Sequence, residues 1–342
     1  MSVFENIHFD GHEQVVFCHD TKSGLKAIIA IHNTNRGPSL GGCRMWSYEH
    51  EADAVSDVLR LSRGMTYKNA LADLPWGGGK SVIIGNAKTD KTPELMQALG
   101  RYVETLSGRY TIAEDVGTTP ADMKEIAKNT THVQGVEGEG YDPSPATAFG
   151  VFTGLKASVR EKLGRSDVEG IRIAVQGLGH VGYDLASQLH DAGAELVVTD
   201  IDETAVTRAR TELGAKAVGL NDIYAQDVDV FAPCALGAII NDDTIPQLRA
   251  KVIAGAANNQ LAEDRHGEIL HERGILYAPD YAINAGGVIH IYHEGPGYDK
   301  QKAFAHVGRI GDTITEIFAR AKKDGISPNR AAARVAEDRF AA

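Results

Sequence analysis

The chain has 342 residues, a net charge of −11 and 43% hydrophobic residues. A length of this order suggests two domains. The acidic balance argues against nucleic acid or an anionic membrane surface as a partner, and no apolar run approaches the ~20 residues that a spanning helix needs. The opening stretch "MSVFENIHFDGHEQ" has acids and no basic-then-apolar order, so a signal peptide is not expected. Cys18, Cys43 and Cys234 are odd in number, far apart and without a CxxC pair, which suits a reducing cytoplasm. Each is expected to be a small buried hydrophobe. The 13 histidines include His290 with His293 and His266 with His271, but neither pair has a carboxylate at metalloprotease spacing, so no metal is expected.

In chain order, "QVVFCHD" (14–20) and "KAIIAIHN" (26–33) read as adjacent strands around a "TKSG" turn. Residues 50–72 form a helix with Val55, Val58, Leu59, Ser62 and Met65 on one face. "SVIIG" (81–85) is β-branched and reads as a strand that Lys80 enters after a glycine turn. Thr92 caps a helix with Pro93 first and Leu95, Leu99, Val103 and Leu106 as its buried stripe. "YTIAED" (110–115) is a short strand, and Thr119 caps the next helix, with Pro120 first and Asp122 favouring its dipole. "QGVEGEGYDPS" (134–144) reads as a loop and a candidate hinge. Ser144 and Pro145 then open a helix that runs to about Leu163. From Ile171 the chain alternates strand and helix, the pattern of a doubly wound α/β domain.

Gly177, Gly179 and Gly182 fit G-x-G-x-x-G after the apolar run "IRIAV" and at the start of a helix carrying His180 and Val181. Asp200 ends the next strand, where the fingerprint places a carboxylate for the adenosine ribose. That charge repels a 2′-phosphate, and the next basic residue is Arg208, so NAD is expected over NADP. His180 is assigned no catalytic role.

"PWGGGKS" (75–81) resembles the end of a P-loop, but the required earlier glycine falls on Leu74 and a strand follows in place of a helix. Lys68 near a helix end, Lys80 after the glycines and Asp115 after a strand read singly as surface charges. Beside a dinucleotide site they point to an amine-handling pocket, because a buried lysine loses proton affinity through desolvation and can then serve as a base.

"GPSLGGCRMW", "RGMTYKNA", "PWGGGKSVIIG", "AEDVGTT", "APCALG" and "APDYAINAGGV" together resemble the Glu/Leu/Phe/Val dehydrogenases, and their leucine branch most closely. The resemblance implies an N-terminal α/β substrate and oligomerisation domain (1–138, with the helix at 322–342 returning to it), a Rossmann-type NAD-binding domain (144–321) and a cleft between them. It implies reversible NAD-dependent oxidative deamination of an L-amino acid to the 2-oxo acid and ammonia. By the match Lys68 binds the substrate α-carboxylate, Lys80 activates water, and Asp115 relays protons to and from the amine. Thr147 and Asn259 match positions near nicotinamide and substrate, and Ala235 and Asn284 match cofactor loops. A homo-oligomer, octamer or dimer, is implied as well.

Glutamate-specific members carry a lysine where this chain has Leu40, so a side-chain carboxylate would find no cation there. Leu40, Gly41, Met65, Ala113, Val288 and Ile291 match the leucine-type pocket and favour a branched aliphatic side chain, with valine and isoleucine used too. An aromatic amino acid is the alternative, since "VIHIYHEG" (288–295) brings His290 and Tyr292 to the pocket wall. A non-catalytic NAD sensor is a remoter alternative that would not require Lys68, Lys80 and Asp115.

Overall fold

The computed structural model describes residues 3–136, 142–295 and 297–341. Two compact units are distinguished: Met1–Tyr141 with Glu294–Pro296 and Ala336–Ala342, and Asp142–His293 with Gly297–Val335. The expected boundary at 138 lies outside the described residues, as does the middle of the expected hinge at 134–144.

The first unit contains β1 (Gln14–Asp20), β2 (Leu25–Asn33), β3 (Ser39–Trp46), α1 (Glu51–Leu71), β4 (Gly77–Ile84), α2 (Pro93–Thr105), β5 (Tyr110–Glu114) and α3 (Pro120–Ala127). The sheet order is β1-β2-β4-β3-β5, with β1, β2 and β4 antiparallel neighbours and β3 parallel to both β4 and β5. The β1–β2 turn closes as expected: Gly24 takes φ +76° and Ser23 Oγ donates to Asp20 Oδ2 at 2.6 Å. Strand β2 is apolar on both faces because helices cover both. One face packs Ile28 and Ala30 against Val55, Val58 and Leu59 of α1. The other packs Ile29 and Ile31 with Leu99 and Val103 of α2 and Ile126 of α3. Thr92 and Thr119 cap α2 and α3 through side-chain oxygens, each with proline in the first turn.

Two features of this sheet depart from the sequence reading. "SLGGC" is an unanticipated strand, β3, because two glycines lower its apparent strand propensity. The triple glycine is itself strand, so Lys80 lies inside β4 and not at its entrance. These glycines allow close approach. A Cβ on Gly78 would lie 2.0 Å from the Thr66 backbone nitrogen, so α1 rests directly on β4.

The C-terminal residues of the first unit hold the end of α1. Arg339 Nη1 donates to Ala70 O (3.1 Å) and Leu71 O (2.9 Å), and Tyr67 donates to Glu337 Oε1 at 2.9 Å. A cation on the last carbonyls of a helix satisfies otherwise orphaned acceptors and complements its dipole.

The second unit contains α4 (Ser144–Leu163), β6 (Arg172–Gln176), α5 (His180–Asp191), β7 (Glu195–Thr199), α6 (Glu203–Leu213), β8 (Lys216–Ala217), β9 (Val230–Pro233), β10 (Val252–Ile253), α7 (Arg265–Glu272), β11 (Leu276–Tyr277), α8 (Asp280–Ile283), α9 (Gly286–His293), α10 (Lys300–Gly308), α11 (Ile310–Asp324) and the start of α12 (Pro328–Phe340). Its strands are all parallel in the order β11-β10-β9-β6-β7-β8. Numbered from β6, this is the doubly wound order 3-2-1-4-5-6, whose switch point lies between β6 and β9. Strands β8 and β11 are two residues each, too short to show a pattern in sequence.

Candidate active site

Lys80 points from the interior of β4 toward the end of β5, and its side chain is 7% exposed. Its Nζ lies 2.8 Å from Asp115 Oδ2. The same oxygen receives Arg44 Nε from β3 at 3.2 Å. The backbone around Asp115 is tied down by Thr118, whose Oγ1 accepts from Asp115 N–H (2.9 Å) and donates to Cys43 O (2.8 Å). Burial pushes the Asp115 carboxyl up, but the charges of Lys80 and Arg44 outweigh it and hold it below the usual carboxylate range. Asp115 therefore sits ionised in a mostly buried setting, where Coulomb interactions are strong.

Lys68 is half-buried on α1. It follows Thr66 by two residues, and Lys80 follows Gly78 by two residues, from the point where helix and strand meet. Gly41 fits tightly in the same sheet: a Cβ there would lie 1.7 Å from Gly79 O and 3.3 Å from Met65 Cγ. Leu40 pairs with Gly78 and Thr111, and Ala113 pairs with Gly42. The structure thus gathers Leu40, Gly41, Met65, Lys80, Ala113 and Asp115 on adjoining strands and the helix above them.

Sequence reasoning missed Arg44, although it directly follows the quoted "GGC" run. It also missed Glu294, whose carboxyl is pushed up to about 7 by burial and by the charge of Glu114. Cys18 and Cys43 are buried, but Cys234 is only half-buried, unlike the expectation for it.

The other candidates lie in the second unit. Gly177 has φ +96° and packs against Ala235, which lies beyond β9 at the switch point. A Cβ on Gly182 would sit 2.0 Å from Gly177 O, so glycine lets α5 start tightly against the turn. A Cβ on Gly179 meets nothing within 4 Å, which leaves the turn open where a pyrophosphate would approach. His180 is exposed and Val181 half-buried at the start of α5. Asp200 Oδ2 accepts from Leu178 N–H at 2.5 Å, aiming the carboxylate at the glycine turn. Thr147 of α4 lies beside Gly287, where a Cβ would be 3.0 Å from Thr147 Oγ1. Asn284 donates to Ala256 O (3.0 Å) and Asn258 Oδ1 (2.8 Å). Its Oδ1 is buried and accepts no hydrogen bond among the described residues, which suits a ligand donor. Exposed Asn259 has φ +50°, and its carbonyl accepts from Ala238 N–H at 2.7 Å. Val288 and Ile291 are three apart on α9, both half-buried. Apart from Val288 and Ile291, which are expected to line the substrate pocket, these residues fit a dinucleotide.

Asp242, Glu263 and His266 place one ligand atom each within 4.8 Å of one another. Arg265 bonds to both carboxylates, 2.5 Å from Asp242 and 2.9 Å from Glu263. His266 Nδ1 accepts from Glu263 N–H at 3.0 Å, so this group is an arginine-centred ion cluster.

The second unit is a dinucleotide-binding fold of the dehydrogenase class, and the first carries a buried lysine–carboxylate pair. The chain belongs to the Glu/Leu/Phe/Val dehydrogenase family and is an amino acid dehydrogenase: residues 12–132 match the family's dimerisation domain and residues 199–334 match Glutamate/Leucine/Phenylalanine/Valine dehydrogenase. It is 55% identical to the leucine dehydrogenase of Geobacillus stearothermophilus, across 99% of this chain and 94% of that one. It is 49% identical to an L-tryptophan dehydrogenase of Nostoc punctiforme, across 99% and 96% of the two chains. The crystal structure of L-tryptophan dehydrogenase from that organism superposes with a TM-score of 0.88 at 48% identity, covering 97% of this chain and 96% of that one. No helix among the described residues is long and apolar enough to cross a membrane.

Proposed function

We propose that this enzyme catalyses the NAD-dependent oxidative deamination of L-leucine and other branched aliphatic amino acids. Amino acid, NAD⁺ and water give the 2-oxo acid, ammonium, NADH and a proton. The observation that carries this reading is the 2.8 Å Lys80–Asp115 ion pair, with Lys80 7% exposed. NAD, when bound, accepts the hydride from the substrate Cα. Lys68 holds the α-carboxylate. Asp115 takes a proton from the substrate amine before the hydride leaves. Lys80 in its neutral form takes a proton from the water that attacks the imine carbon, and Asp115 then returns a proton to the departing nitrogen.

Greater identity to the leucine enzyme than to the tryptophan enzyme supports an aliphatic substrate. So do the apolar side chains of Leu40, Met65 and Ala113 in the first unit, with Gly41 beside Met65, and, separately, those of Val288 and Ile291 in the second. Gly177, Gly179, His180, Val181, Gly182, Asp200, Ala235 and Asn284 are proposed to hold NAD, and Thr147 and Asn259 its nicotinamide end. The match to a dimerisation domain supports a homo-oligomer, and three free cysteines support a cytoplasmic setting. The test is initial rates of NADH formation with L-leucine, L-valine, L-phenylalanine, L-tryptophan and L-glutamate. Leucine and valine should lead in kcat/KM. A leading aromatic substrate would overturn the aliphatic assignment and leave the chemistry standing.

A further inference from the structure

Two cations share one oxygen of Asp115: Lys80 Nζ at 2.8 Å and Arg44 Nε at 3.2 Å. Their roles cannot be equal in the deamination proposed above, on which this inference rests. Lys80 must be neutral to take a proton from water, so its charge comes and goes during the cycle. A guanidinium never gives up its proton under these conditions. Arg44 is also fixed in place. Its Nη1 lies 2.9 Å from Asp57 Oδ2. Asp57 is in turn held by Tyr48 OH at 2.7 Å and by Arg60 Nη2 at 2.8 Å. The Arg44 and Asp57 side chains are 20% and 14% exposed, so solvent screens them only partly. Tyr110 and Cys43 also lie close enough to interact with the Asp115 charge, and both stay neutral at working pH because burial pushes their ionisation up. Arg44 is therefore the constant positive charge beside the proton-transfer pair.

We propose that Arg44 is a positioning residue for catalysis: anchored on Asp57, it orients the Asp115 carboxyl toward the reacting amine and supplies a fixed positive charge beside the Lys80–Asp115 pair through the cycle. A planar fork bridging two carboxylates is a geometry that lysine cannot reproduce.

The test is the pH profile of kcat/KM for L-leucine oxidation by wild type, Arg44→Gln and Arg44→Lys. Removing a fixed cation favours the protonated forms of the coupled pair, whichever member titrates. The acid limb should therefore move to higher pH in Arg44→Gln by about one unit. Its kcat should fall on the order of 10²-fold, with KM for L-leucine nearly unchanged because Lys68 is untouched. Arg44→Lys keeps the charge, so its limb should stay within about half a unit of wild type while its kcat falls about tenfold. An Arg44→Gln limb that coincides with wild type would make Arg44 merely structural and overturn the proposal. Should Arg44→Gln fail to fold, Arg44→Lys decides alone: wild-type kcat there overturns the proposal, and a lowered kcat at unchanged KM supports it. Failure of the underlying reading looks different. In that case wild type itself produces no NADH from any amino acid, and both inferences fall together.

Discussion

Gly78→Ala would test the contact that sets the active-site lysines. A Cβ at this position would meet Thr66 N at 2.0 Å, Thr66 Oγ1 at 2.2 Å and Thr66 Cα at 2.5 Å. Ordinary contacts of this kind begin near 3.4 Å, so α1 would have to retreat from β4 by more than an ångström. Two of the three atoms are helix backbone, so no rotamer change relieves the clash. Overpacking of this sort costs about 1–3 kcal/mol, and a misplacement near 1 Å costs on the order of 10²-fold in rate. Gly64→Ala is the control on the same helix. It meets nothing within 4 Å and should stabilise α1 by about 0.5–1 kcal/mol with turnover unchanged. Urea unfolding and kcat/KM for amino acid oxidation are the assays. If Gly78→Ala keeps wild-type stability and turnover, the glycine run does not serve the approach of helix to strand, and the placement of Lys68 and Lys80 must be explained otherwise.

Buried His32 hydrogen-bonds through Nδ1 to Thr66 Oγ1 at 2.8 Å. Desolvation, chiefly, pulls its titration down to about 4. The unfolded chain therefore binds the extra proton first, so this stability is full above the ordinary histidine value and is lost as pH falls toward 4. The loss should amount to about 2–3 kcal/mol. Urea midpoints should show it in wild type and show a flatter dependence in His32→Gln; an equally steep dependence in both would rule His32 out as its source. Asp200→Ser should narrow the NAD-over-NADP preference in kcat/KM by tenfold or more, about the effect of removing one repulsive carboxylate. An unchanged cofactor ratio would place ribose recognition elsewhere.

Much of the fold was legible because it follows local rules. The caps at Thr92 and Thr119, the Gly24 turn and the apolar stripe of α2 are short-range signals. The glycine turn at 177–182 was readable because a strand, a helix and Asp200 flank it. What the sequence hid is tertiary. Glycine in "SLGGC" and "GGGK" suggests a turn when taken alone, yet these residues are central strands because a neighbouring backbone lies where a side chain would be. Arg44 was hidden for a similar reason. Its partners Asp57 and Asp115 are 13 and 71 residues away in the chain, so only the β3–β5 pairing and the packing of α1 reveal the tether. Lys80 and Asp115 were recognised through a family resemblance, and no spacing between them announces a 2.8 Å contact.

The central claim is that the buried Lys80 amine is the base of an amino acid oxidation. It is tested most directly by comparing kcat of Lys80→Ala with wild type on L-leucine while measuring NAD binding to both. The account predicts a loss of about 10²–10⁴-fold, the usual contribution of a positioned general base, with NAD affinity unchanged because the dinucleotide residues lie in the second unit. Turnover near wild type in Lys80→Ala would contradict it.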